Sequence, residues 1–156
     1  MIEITIPGYK KLQLNHLVLD YNGTLACDGQ LLPGVAERLN TLSTQMKIHV
    51  LTADTFGSVR SAMSEVSCEL SILAPENQDV GKLKYVERLG SEVTVCIGNG
   101  RNDRLMLKEA ALGIAVLEGE GAAVETIMAA DVLAPNILAA LDLLLQPLRL
   151  VATLRS

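Results

Sequence analysis

An unbroken apolar run, Leu17-Val18-Leu19, closes on Asp20 and gives way at once to the polar turn Tyr21-Asn22-Gly23-Thr24. Strands that are apolar at consecutive rather than alternate positions are covered on both faces, and such strands pair in parallel beneath flanking helices. The pattern recurs down the chain. Ile48-His49-Val50-Leu51 runs into Thr52, Val93-Thr94-Val95-Cys96-Ile97 runs into Gly98-Asn99-Gly100, and Gly113-Ile114-Ala115-Val116 runs toward Glu118-Gly119. Between these runs lie helical spacings: Val35, Leu39 and Leu42, then Val59, Ala62, Met63 and Val66, then Leu83, Val86 and Leu89. Strands alternating with helices predict an α/β protein with a doubly wound, mainly parallel sheet. Composition fits, because 49% apolar and only 3% aromatic residues mean a core of Leu, Val, Ile and Ala. A chain of 156 residues suffices for one domain, which would bury roughly two thirds of its unfolded surface.

The flanking segments complete this picture. Ile2 to Ile6 alternates and ends at Pro7-Gly8, predicting a hairpin or sheet edge over residues 1–14 with the strand Leu12 to Leu19. Cys27-Asp28-Gly29-Gln30 has turn composition, and Pro33 is placed to open a helix. Thr52-Ala53-Asp54-Thr55 offers caps for the next helix. Later helices are expected to carry Leu105, Met106 and Ala110 inward, then Val124, Ile127 and Met128. Residues 136–156 read as C-terminal helices, richer in leucine than one face needs, which suggests a homo-oligomer.

Several classes are disfavoured. The net charge of -5, with no Lys/Arg cluster, argues against nucleic acid and anionic membranes as partners. No basic segment precedes an apolar N-terminal run, and polar residues such as Asp142 and Gln146 interrupt the greasiest stretch before about 18 apolar residues accumulate. The expectation is a soluble, cytoplasmic protein. Cys27, Cys68 and Cys96 form no C-x-x-C pair or disulfide framework, and His16 and His49 read as packing histidines.

The strand ends carry the chemistry. Asp20, Thr52, and Asn99 with Asp103 fall at the carboxyl ends of three predicted parallel strands, where open α/β sheets bind ligands. Lys82 or Lys84 adds a cation on the helix before the last of them. A carboxylate nucleophile, a hydroxyl, a cation and an oxygen-rich loop are what phosphoryl transfer through an aspartyl phosphate requires. Taken singly, each has a bland reading: turn residue, helix cap, surface lysine, glycine turn.

Together they resemble the haloacid dehalogenase-like hydrolases over roughly residues 15 to 145. That family's D-x-D-G-T is here Asp20-Tyr21-Asn22-Gly23-Thr24, its strand-end Thr or Ser is Thr52, its lysine is Lys82, and its G-D-G-x-N-D is Gly98-Asn99-Gly100-Arg101-Asn102-Asp103. Thr52-Ala53-Asp54 and Lys82-x-x-x-Val86 look most like the phosphorylation domain of P-type ATPases, in a stand-alone form without a sizeable cap. The resemblance implies Asp20 as nucleophile, with Asn22, Thr52 and Lys82 as its catalytic partners. It implies phosphate held by Gly23, Thr52, Ala53 and Lys82, and Mg2+ held by Asp20, Asn22, Asn99 and Asp103. The implied substrate is a small phosphate ester or a phosphoprotein. Two positions depart from the family. Asn22 replaces the aspartate that acts as general acid/base, a function worth about 10² to 10⁴ in rate, and Asn99 replaces an acidic metal donor. A slow phosphohydrolase or phosphotransferase is therefore the leading expectation, and a regulatory or phosphate-binding module the alternative.

Overall fold

Consecutive apolar residues on a strand point alternately to opposite faces, and here that alternation builds two cores. The computed structural model describes residues 1–54 and 57–156, so Thr55 of the expected cap lies outside the described residues. Six parallel strands form the central sheet: β3 (His16–Asp20), β6 (Lys47–Thr52), β7 (Glu69–Ile72), β8 (Thr94–Gly98), β9 (Leu112–Val116) and β10 (Val132–Ala134). Leu17 and Leu19 of β3, Val50 of β6 and Val95 and Ile97 of β8 face one core, packed under α1 (Val35–Leu42), α6 (Ile137–Leu145) and α7 (Pro147–Leu154). Val18, Leu51, Cys96 and Ala115 face the other, under α3 (Gln78–Leu89) and α4 (Arg104–Glu109). Both faces are dry, hence the unbroken apolar runs.

The spatial order is β10-β9-β8-β3-β6-β7. From β3 the chain winds outward through β6 and β7, then returns across the sheet to β8 on β3's other side. That reversal opens a crevice at the carboxyl ends of β3 and β8, so Asp20 and Asn99 flank it.

The N-terminal segment forms a separate antiparallel hairpin, β1 (Ile2–Ile6) with β2 (Lys10–Leu14). The expected single strand Leu12 to Leu19 is broken at Asn15, whose backbone bonds Val93, just before β8, and Lys47 of β6, while β2 pairs with β1. A second short hairpin, β4 (Ala26–Cys27) with β5 (Gln30–Leu31), turns through Asp28 and Gly29, both at positive φ, and forms the flap beside the crevice. Pro33 precedes α1 rather than opening it, because Gly34, at φ 86, separates them.

Two other helices, α2 (Ser58–Ala62) and α5 (Val124–Ala129), are short. On α5 the expected inward face is wrong: Val124 and Met128 are exposed, and Thr126 is buried with its hydroxyl donating to the Gly100 carbonyl. The C-terminal leucines pack largely on their own fold. Ile137, Leu141, Leu144 and Leu150 are buried, leaving Leu148 as the exposed leucine of α7. Among the described residues no single helix is long and apolar enough to cross a membrane, and α6 and α7 bend by 101° at their junction.

Candidate active site

Asp20, Tyr21, Asn22, Thr52, Ala53, Asp54, Gln78, Asn99, Arg101 and Asn102 are among the residues lining a cleft of about 930 Å³ at the crevice. Its floor is an ion triad. Lys82, in the second turn of α3 and 1% exposed, places Nζ 2.7 Å from Asp20 Oδ1 and 2.6 Å from Asp103 Oδ1. Lys84, two positions on, is exposed, so of the two it is Lys82 that meets these carboxylates. Removing the ammonium would leave two buried carboxylates unpaired, a change that costs about 3–5 kcal/mol when one partner of a buried pair is lost.

One ammonium serves two carboxylates, so with both ionised the floor carries one negative charge in excess. Burial and the charge of Asp103 lift the Asp20 carboxyl from its ordinary 3.8 to about 7, against the pull of Lys82 and the Thr24 hydroxyl. Burial also works against the charge on Lys82, but Asp103 and Asp20 more than offset it and raise the ammonium above its ordinary value.

Asp103 differs from the expectation that it donates to a metal. Oδ1 is taken by Lys82, and Oδ2 accepts the backbone N–H groups of Asn99 and Gly100 at 3.0 and 2.9 Å. The glycine loop wraps this carboxylate so tightly that a Cβ on Gly98 would sit 2.5 Å from Asp103 Cγ. Asp103 organises the loop and anchors the lysine.

Gly23 also differs. Its N–H donates to the Ala26 carbonyl at 2.9 Å, so it is not free for a phosphate. Its φ is 78°, and a Cβ there would lie 2.4 Å from the Asn99 amide nitrogen, so this glycine makes room for Asn99. Asn99 is oriented by its partners. Nδ2 donates to the Gly121 carbonyl at 3.0 Å, which turns Oδ1 toward Thr24, whose Oγ1 lies 3.2 Å from it and 3.3 Å from Asp20 Oδ2. Thr24 thus joins the two strand ends, a role not read from the sequence although its spacing of four from Asp20 spans the turn.

Thr52 is buried, and its Oγ1 accepts the Asp54 N–H at 3.1 Å, which leaves the hydroxyl proton to donate elsewhere. Asp54 in turn accepts the Val59 N–H and the Ser58 hydroxyl at the start of α2. Ala53 lines the cleft between them. Asn22 stands exposed at the mouth.

Among the described residues no group of three or more His, Cys, Asp or Glu comes together to hold a metal. Asp20, Asn22 and Asn99 line the cleft together, and a carboxylate with neutral oxygens suits a hard cation with several retained waters. The excess negative charge on the floor suits a cation as well.

Solved structures match the whole architecture. A cobalt-bound deoxy-D-mannose-octulosonate 8-phosphate phosphatase from Haemophilus influenzae superposes with a TM-score of 0.72 over 92% of this chain and 94% of its own, at 14% identity. The fold is that of the haloacid dehalogenase-like hydrolases. The 3-deoxy-D-manno-octulosonate 8-phosphate phosphatase of Moraxella catarrhalis, solved with magnesium, phosphate and the sugar, gives 0.68 at 17% identity over 91% of this chain and 94% of that one. A hydrolase of the haloacid dehalogenase-like family from Streptococcus pneumoniae gives 0.62 at 13% identity, covering 83% and 97%. In sequence the chain is similar to two uncharacterized proteins of Methanocaldococcus jannaschii. One is 46% identical over 83 residues, covering 51% of this chain and 89% of that protein, and the other is 49% identical over 39 residues, covering 25% and 89%. No family model matches the sequence. In this fold Asp20 and the Gly98-Asn99-Gly100 loop are adjacent, because β3 and β8 are hydrogen-bonded neighbours.

Proposed function

We propose that the protein is a slow, magnesium-dependent phosphohydrolase or phosphotransferase that works through an aspartyl phosphate on Asp20. The observation that carries this reading is the Asp20–Lys82–Asp103 triad beneath an open polar cleft. Asp20 Oδ2, bonded to Thr24 rather than to the lysine, is the oxygen available to attack phosphorus. The Thr52 hydroxyl would donate to a phosphoryl oxygen, and Lys82 would offset the charge that spreads over those oxygens in the transition state. Magnesium, held by Asp20, the Asn22 carbonyl and Asn99, would supply the positive charge that keeps Asp20 ionised and draws the phosphate in. Asn22 stands where proton transfer to the leaving group belongs, yet an amide exchanges no proton near neutral pH. Substrates with good leaving groups, acyl phosphates above all, suit such a site.

The substrate is proposed as a small phosphate ester or acyl phosphate, with a phosphoprotein as the wider possibility that an open cleft admits. A second reading, a phosphate-binding module without turnover, draws on the same Asn22. Both are tested by assaying acetyl phosphate and nitrophenyl phosphate with magnesium, and by trapping with beryllium fluoride. Turnover or trapping that vanishes in Asp20→Asn supports the enzyme. Phosphate binding without either supports the module.

A further inference from the structure

The three N–H donors of Lys82 are not equivalent. Two meet carboxylates, at 2.7 Å on Asp20 and 2.6 Å on Asp103, while the third reaches the neutral Asn102 Oδ1 at 3.3 Å. Asn102 Nδ2 donates to Gln78 Oε1 at 2.9 Å, and Gln78 Nε2 donates to the Pro75 carbonyl at 3.2 Å. Asn102, Gln78 and Pro75 all line the cleft.

The direction of each bond is forced by the ends of the chain. An ammonium only donates, so it must face the Asn102 oxygen; the Asn102 NH₂ then faces Gln78, which must answer with its oxygen. The remaining Gln78 NH₂ meets the Pro75 carbonyl, which only accepts. Two amides that could each be flipped singly are thereby locked as a pair. Gln78 begins α3 four residues before Lys82, one helical turn away on the same face.

We propose that Gln78 is a positioning residue. Acting through Asn102, it keeps the third N–H of Lys82 aimed along the cleft wall, where an incoming phosphoryl oxygen displaces the Asn102 carbonyl. The inference rests on the phosphoryl-transfer reading above. The exchange is favourable because a bond from ammonium to a charged oxygen is roughly twice as strong as one to a neutral carbonyl. Lys82 keeps both carboxylates while it happens. Without Gln78, Asn102 turns freely, and one of its two orientations sets NH₂ against the ammonium, donor against donor.

The test titrates wild type, Gln78→Met and Gln78→Glu with inorganic phosphate at fixed magnesium, following the Asn102 side-chain amide signals by NMR, with acetyl phosphate kinetics alongside. Gln78→Met is expected to weaken phosphate about threefold to tenfold, the cost of ordering a released side chain again as phosphate binds. It should raise KM for acetyl phosphate with little change in kcat, and shift the Asn102 amide signals before any phosphate is added. Gln78→Glu retains the acceptor for Asn102 and regains the donor for Pro75 only when protonated. Its introduced carboxyl lies one helical turn from Lys82 and shares the cleft with Asp20, Asp54, Arg101, and Asp79 and Arg104, which pair with each other at 3.0 Å. Compared with wild type at the same pH, its carboxylate, ionised above about 4.3, should weaken phosphate at pH 8 and progressively less as pH falls toward 4. If wild type binds phosphate and Gln78→Met binds it equally well, with the Asn102 signals unmoved, the positioning role is overturned. Wild type that neither binds phosphate nor turns over acetyl phosphate overturns the phosphoryl reading instead, and the positioning role falls with it.

Discussion

Asn22 is a one-atom change with a kinetic signature. Asn22→Asp is nearly isosteric at an exposed position of the cleft mouth, so it should add proton transfer while leaving the backbone as it is. Hydrolysis of ordinary phosphate monoesters is expected to rise by at least about tenfold, within the 10² to 10⁴ of a placed general acid. The gain should be smallest for nitrophenyl phosphate, and the pH–rate profile should acquire a limb. Unchanged rates on every substrate that binds would remove proton transfer as the missing step. Asp20 carries a stability signature. Its carboxyl titrates near 3.8 when unfolded and near 7 when folded without metal, so the folded state holds the proton more tightly between those values. The associated stabilisation is fully present below about 3.8 and is lost as pH rises through about 7. In chelator, Asp20→Asn should therefore melt above wild type at pH 8, with the advantage shrinking toward pH 4; a pH-independent difference would count against the buried charge. That Asp20, Thr52 and Asn99 share one rim of the sheet was legible because strand ends are legible. Lys82 was ambiguous with Lys84 because both sit on one helix, two positions apart and on different faces. Gln78 and Thr24 were missed because an amide at a helix start and a threonine in a turn each have a local job to explain them. The spacing of four from Gln78 to Lys82 and from Asp20 to Thr24 was the signal available.

At the scale of elements, β3 and β6 bring together two histidines that the sequence left as packing residues. His16 Nδ1 lies 3.1 Å from His49 Nε2, and His49 Nδ1 lies 2.9 Å from the Tyr85 hydroxyl on α3. Burial holds both imidazoles below their ordinary 6.5. Their contribution is fully present above about 6.5 and is lost as pH falls toward the lowered folded values, since the unfolded chain then binds the extra protons. The melting temperature should drop between pH 7 and pH 5, and less steeply in His49→Gln; equal slopes would take the pair out of the acid response. Strands were easier to read than helices here. The central strands are apolar on both sides, so each run marks itself, whereas α5 is only six residues long and its exposed Val124 and Met128 mimic an inward stripe. The break at Asn15 was hidden because a strand that changes partner keeps its apolar pattern.

For the molecule as a whole, the doubly wound order was implied by alternation, but the position of β8 against β3 was not, because sequence order does not say on which side a returning strand is laid. That position makes the site, by setting the glycine loop of Asn99 beside Asp20. A cation held there by one carboxylate and two neutral oxygens should bind weakly, with a dissociation constant on the order of 1 mM. At about 10 mM magnesium, linkage then gives roughly 1.4 kcal/mol of stabilisation, or a rise of about 3 to 6 °C in Tm for a domain of this size. Asp20→Asn should abolish the rise; a shift that survives the substitution would place the cation elsewhere. The single excess negative charge on the floor of the cleft has a consequence for saturation. Phosphate entering alone meets that charge as repulsion, and magnesium entering alone finds one carboxylate, neutral oxygens and water, whereas each brings the charge the other needs. The two ligands should therefore bind with positive heterotropic cooperativity. Because binding free energies are linked, the factor by which magnesium tightens phosphate must equal the factor by which phosphate tightens magnesium, so at low concentration the occupied site fills as a product of the two rather than as a sum.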